Sequence, residues 1–157
     1  DFEKGKAYLP QLLMSAEAAS AAFEIVKENI EKTDISDDKK IIIATVKGDI
    51  HDIGKNIVRV VMESYGFTVI DLGKDVDAQT ILKSVLKTGA KLVGLSALMT
   101  TTVPAMEETI KLLRDHAPWC KIMVGGAVLT EEFAEKIGAD KYAKDAMEAV
   151  RYAEEIF

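Results

Sequence analysis

The chain has one cysteine, Cys120, among its 157 residues. That excludes an internal disulfide and any Cys-rich zinc or iron–sulfur site. Nothing points to an oxidising compartment, so the cytoplasm is the expected location. Positive charge is not in excess either. The 26 acidic residues outnumber the 20 basic ones and give a net charge of −6, whereas a phosphate backbone needs a basic face. No nucleic-acid partner is expected. No apolar run nears the roughly 20 residues of a membrane span and no signal peptide is visible, so no membrane partner is expected. Two phosphate-binding signatures are missing as well. G-x-G-x-x-G occurs nowhere. Gly54-Lys55 resembles the end of a P-loop, but five residues separate Gly48 from Gly54 and Asn56 follows the lysine, where a Walker A loop has four and then Ser or Thr. The chain opens at Asp1 without an initiator Met, and reads as a piece of something longer.

What is present falls into two regions, 1–33 and 34–157. In the first, Leu12, Ala16, Ala19, Phe23, Val26 and Ile30 repeat at spacings of 4, 3, 4, 3 and 4, one stripe on one side of a helix. Pro10 falls near its start, where the first turn tolerates proline. Residues 32–40 are polar and aperiodic and form a linker. From Lys40 the pattern alternates short apolar runs with amphipathic stretches. Strands are expected at 40–46, 68–72, 92–96, 121–124 and 141–143, and helices at 54–65, 77–87, 103–116, 130–137 and 145–156. Asp77 and Thr130 stand as N-caps, and Gly66, Gly89 and Gly138 stand where helices end. Successive βα units imply an α/β fold: a five-stranded parallel, Rossmann-like (flavodoxin-like) sheet with helices on both faces.

In such a sheet of order 2-1-3-4-5, ligands sit at the carboxyl ends of the strands where the order reverses. Three unusual loops meet there: Lys47 to Gly54 after strand 1, Ser96 to Thr102 after strand 3, and Gly125-Gly126-Ala127 after strand 4. A phospho-acceptor receiver would carry its aspartate at the end of strand 3, where Ser96 stands. A hydrolase would need a nucleophile elbow, and none surrounds Ser96. What remains is one imidazole, His51, two residues after Asp49. A carboxylate so placed can orient a metal-bound histidine, yet one ligand cannot hold a free transition ion. It could complete the coordination of a metal that arrives inside a macrocycle.

Asp49-x-His51-x-x-Gly54, with Ser96 after strand 3 and Gly125-Gly126 after strand 4, resembles the cobalamin-binding module of B12-dependent methyltransferases. The wider string from Val46 to Val58 is similar to that branch rather than to the coenzyme-B12 mutases. The resemblance implies cobalamin, as methylcobalamin, bound with its own base displaced from cobalt and His51 as the metal's axial ligand. Asp49 would accept a hydrogen bond from His51, and Thr102 would contact Asp49. These three form the implied catalytic set. Gly48, Ile50, Asp52, Gly54 and Leu98 belong to the implied cofactor-binding loops. Ser96 and Thr100 would contact the displaced tail, Gly125 and Gly126 would line it, and Ala146 would lie near the corrin edge or tail. Residues 1–33 match the C-terminal part of a helical cap, whose Phe2, Leu9 and Leu12 would shield the methyl group.

The strings 95–102 and 142–146 look most like methionine synthase, which implies a fragment carrying methyl from methyltetrahydrofolate to homocysteine, hence methionine biosynthesis. The alternatives are a stand-alone corrinoid protein of a methanol or methylamine system, or a corrinoid-dependent regulator. Under either carrier reading the chain is not a complete enzyme. It would visit methyl-donor and methyl-acceptor modules and a reactivation partner.

Overall fold

The computed structural model describes residues 39–157, together with Met14, Ser15 and Ala18; Met14, Ser15 and Ala18 are helical. Phe2, Leu9, Leu12 and the rest of the apolar stripe between 12 and 30 lie outside the described residues. The chain divides into two units, Asp1–Ile35 and Ser36–Phe157, and the sheet lies in the second.

Strand β1, Lys40–Thr45, is Ile-rich and fully buried from Ile41 on. Apolar residues on both sides of one strand require cover on both faces of the sheet. Its neighbours are β2 (Thr68–Asp71) and β3 (Leu92–Ser96), followed outward by β4 (Lys121–Gly125) and β5 (Lys141–Tyr142). All pairs are parallel, in the order β2-β1-β3-β4-β5.

The helices are α1 (Ile53–Ser64), α2 (Ala78–Thr88), α3 (Val103–His116), α4 (Glu131–Lys136) and α5 (Ala146–Ile156). Alternation along the strands sorts them into two layers. Ile42, Ala44, Val93, Leu95, Ile122 and Val124 pack with Ile81, Val85, Met106, Ile110 and Leu113 of α2 and α3, and with Ala134 of α4. Ile41, Ile43, Leu92 and Met123 face the other way, against Met62 of α1 and Ala149, Val150 and Ala153 of α5. Among the described residues no helix is long and apolar enough to cross a membrane.

The elements fall within a residue or two of the positions expected from periodicity. The Asp77 carboxylate accepts the Thr80 N–H at 2.9 Å, and the Thr130 hydroxyl accepts that of Phe133 at 3.2 Å. Asp145 caps α5 in the same way through Glu148 N–H at 2.8 Å, whereas periodicity alone places it inside the helix.

One glycine is fixed by a close approach. Gly126 follows β4 with φ +139°, and a Cβ there would stand 1.8 Å from the Ala97 carbonyl oxygen. The loops after β3 and β4 therefore touch backbone to backbone. We expect Gly126→Ala to lower stability by about 2–4 kcal/mol in urea denaturation, because a backbone atom must move. Gly54 lies in α1 with nothing within 4 Å of its Cβ position. There Gly54→Ala should instead raise stability by about 0.5–1 kcal/mol.

Candidate functional site

β1 delivers the chain to the carboxyl edge of the sheet beside the point where strand order reverses. Val46 is the last residue of the buried run, and Gly48 then turns with φ +83°. The turn drives Asp49 back into the protein, where it is 0% exposed. His51 emerges on the other side with 46% of its side chain accessible. Asp52 and Ile53 follow, and α1 begins.

A buried carboxylate has to be matched with donors, and Asp49 is. Oδ1 accepts the His51 backbone N–H at 2.9 Å and pairs with the ring Nδ1 at 2.8 Å. Oδ2 accepts the Leu98 N–H at 2.7 Å and the Thr102 hydroxyl at 3.0 Å. Burial alone would raise the Asp49 carboxyl. The Leu98 and His51 amides, the His51 ring and the Thr102 hydroxyl outweigh it and hold the pKa at about 2. Asp49 is therefore an anion at any ordinary pH.

That anion decides the imidazole tautomer. Facing an acceptor, Nδ1 must carry the hydrogen, which leaves Nε2 of neutral His51 with a bare lone pair. No hydrogen bond among the described residues engages Nε2. The ring stands on the buried Asp49 carboxylate with 46% of the side chain accessible. No group of three or more His, Cys, Asp or Glu side chains among the described residues could hold a metal ion. What the geometry offers is a single oriented imidazole nitrogen.

Strand register places several of the other expected site residues on the same carboxyl edge of the sheet. Thr45, Ser96 and Gly125 are aligned across β1, β3 and β4, forming one row at the carboxyl edge, with Gly126 behind it. The half-buried Ser96 and the exposed Thr100 have no side-chain hydrogen bond among the described residues, and so offer free hydroxyls beside the loop. Ile50, Ile53 and Leu98 are 65%, 49% and 40% exposed; they add apolar surface on the two loops that meet at Asp49. Ala146 is the first residue of α5, half-buried, with no hydrogen bond to the Asp49–His51 loop.

Three features were not read from sequence. The Leu98 contribution to Asp49 is its backbone N–H, which carries no residue-type signal. Thr102 also bonds the Met99 carbonyl, at 2.8 Å, so its single proton has two acceptors. Lys55, which lends the loop its P-loop look, is buried with its ammonium 2.5 Å from Asp71, where it is not available to a phosphate.

Residues 39–151 match the family model of the B12 binding domain. The chain is 42% identical to dimethylamine corrinoid protein 1 of Methanosarcina acetivorans, over 99% of this chain and 74% of that protein. The monomethylamine corrinoid protein of Methanosarcina barkeri superposes with a TM-score of 0.72 at 34% identity, covering 99% of this chain and 74% of that one. The methanol:cobalamin methyltransferase complex MtaBC of Methanosarcina barkeri gives a TM-score of 0.82 at 32% identity, over 99% and 60%.

The low pKa of Asp49 makes stability depend on pH. Its folded value lies below the ordinary 3.8, so the fold favours the ionised form. The stabilisation is complete above about pH 4 and is lost as pH falls towards about 2. Asp49→Asn cannot titrate. The stability gap between wild type and this variant, about 2 kcal/mol at neutral pH, should close across that window in urea titrations. Parallel curves would contradict the assignment.

Proposed function

This chain belongs to the B12-binding domain family, and from that premise we propose that it is the corrinoid carrier of a methylamine- or methanol-type methyltransferase system. Cobalamin would be held with its own base displaced and His51 Nε2 as the cobalt ligand. The single observation that carries this is the bare Nε2 lone pair, fixed by a buried anionic Asp49 at the sheet's carboxyl edge.

The relatives move the reading away from methionine synthase. The similarity in strings 95–102 and 142–146 favoured that enzyme, but relatives matched over 99% of the chain include a dimethylamine corrinoid protein, a monomethylamine corrinoid protein and the methanol:cobalamin methyltransferase complex MtaBC. Methionine biosynthesis accordingly gives way to the stand-alone carrier.

The residues fit the group. Ser96 and Thr100 present unengaged hydroxyls to which a displaced tail could hydrogen-bond. When bound, cobalamin supplies a cobalt centre that accepts and surrenders a methyl group. The chain's part is to position the imidazole and manage its proton. Asp49 keeps hydrogen on Nδ1, so that Nε2 is the ligating atom. The Asp49 anion would stay paired with Nδ1 whether or not Nε2 holds the metal. Thr102 and the Leu98 amide hold Asp49 in place. Partner methyltransferases would deliver and remove the methyl group, and a reactivating protein would restore oxidised cobalt.

Purified with hydroxocobalamin, the protein should be red with bands shifted from the free cofactor. His51→Gly should retain corrinoid, change the spectrum and slow methyl transfer by more than about 100-fold; Asp49→Asn should slow it by about 10-fold. Transfer from a methylamine-specific module, but not to a homocysteine module, would support this carrier. A wild-type spectrum and rate in His51→Gly would refute it.

A further inference from the structure

The loop that bears His51 is gripped from a second side, by the connection between β2 and α2. Asp75, in that connection, is the one non-glycine residue with positive φ among the described residues, at +56°. L-residues enter this region at a cost, though aspartate tolerates it better than most. Glycine would meet the backbone requirement, as Gly73 does two residues earlier with φ +91°. The side chain must therefore be serving something.

Its contacts show what. Oδ1 of Asp75 accepts the Gly48 N–H at 2.8 Å. The Asp75 N–H donates to the Asp49 carbonyl at 2.9 Å. One residue thus grips the Gly48–Asp49 pair from both ends, its acceptor on the first and its donor on the second. The strand ends register the connection alongside: Val46 bridges Val76, Val76 N–H reaches the Thr45 carbonyl at 3.1 Å, and Thr45 N–H reaches that of Gly73 at 3.0 Å. Lys47 lies 3.1 Å from the same Asp75 oxygen. The Gly48 N–H and the Lys47 ammonium hold the Asp75 carboxyl below its usual range.

We propose that Asp75 is a positioning residue for His51: by clasping Gly48 and Asp49 between its carboxylate and its amide, it fixes where the Asp49 carboxylate, and through it the imidazole, stands. A surface pair with Lys47 contributes little by itself, since both side chains are about half exposed and such pairs are screened. The neutral N–H donor is the contact that matters. The proposal deepens the cobalamin-carrier reading and rests on it only for its second readout.

The test uses the full chain, isotopically labelled, as wild type, Asp75→Gly, Asp75→Asn and Lys47→Ala. The first readout is amide hydrogen exchange at His51 and Leu98. Both amides donate to Asp49 and neither bonds to Asp75. Asp75→Gly should speed exchange at both by about 10-fold or more with little change in the urea midpoint, because glycine relieves the left-handed backbone. Asp75→Asn keeps an acceptor and tolerates the same φ, and should return exchange to within about 3-fold of wild type. Lys47→Ala should change neither amide. The second readout is electron paramagnetic resonance of cobalt(II) cobalamin on the protein, where nitrogen splitting reports imidazole on the metal. That fraction should fall in Asp75→Gly and recover in Asp75→Asn.

Wild-type exchange at His51 and Leu98 in Asp75→Gly would overturn the proposal, as would Asn behaving like Gly. Unfolding of Asp75→Gly would overturn it too, by making Asp75 a determinant of the fold rather than of the loop. If wild type takes up no cobalamin, the carrier reading fails, and the exchange measurement still decides the role of Asp75.

Discussion

A carboxylate sealed from water must be met by donors on every side it presents, and in this domain that demand falls on Asp49. Its four hydrogen bonds come from two different loops, the one after β1 and the one after β3. Neither loop can move without exposing or orphaning a buried charge, a change costing several kcal/mol. The two loops are thereby locked to each other, and the only freedom left is at the imidazole face turned outward. Burial and reactivity are thus divided between neighbouring residues: Asp49 takes the first so that His51 can supply the second.

The sheet makes that division possible. At a reversal of strand order, the chain leaves β1 and β3 towards opposite layers, and here Asp49 ties their loops together. α1 follows β1 to one face, while α2 and α3 occupy the other. The aligned row of Thr45, Ser96 and Gly125 contains no large side chain. The Ala97 carbonyl rests where a Gly126 side chain would be, which closes the β3 and β4 loops against each other.

The fold was legible because burial on both faces imposes apolar β-branched strands, and amphipathic helices of ordinary length separate them. Asp77, Thr130, Gly66, Gly89 and Gly138 then marked helix ends with local chemistry that needs no tertiary context. The Asp49–His51 pair was legible for a related reason: their spacing lets one residue's side chain reach the next-but-one residue within a single turn. What escaped was whatever depends on backbone atoms or on distant elements. The Leu98 amide could belong to any residue, and Asp75 is one acid among several between 71 and 77. Lys55 looked like part of a phosphate loop because its partner, Asp71, lies 16 residues away on β2. The choice between methionine synthase and the methylamine carriers went to the alternative for a different reason: the strings compared, 95–102 and 142–146, are similar in both groups and do not separate them.

The two grips on the His51 loop are unequal. The β3 side holds Asp49 by charge in a dry setting, where electrostatics are strong and an altered contact is expensive. The β2 side holds backbone through Asp75, whose side chain is 47% exposed, where water can replace a lost bond cheaply. The first grip sets which ring nitrogen is offered; the second fixes the backbone that carries it. With both grips exposed, no buried charge would set the tautomer. A dry anchor paired with a wet one fixes the nitrogen's identity through charge and its place through backbone.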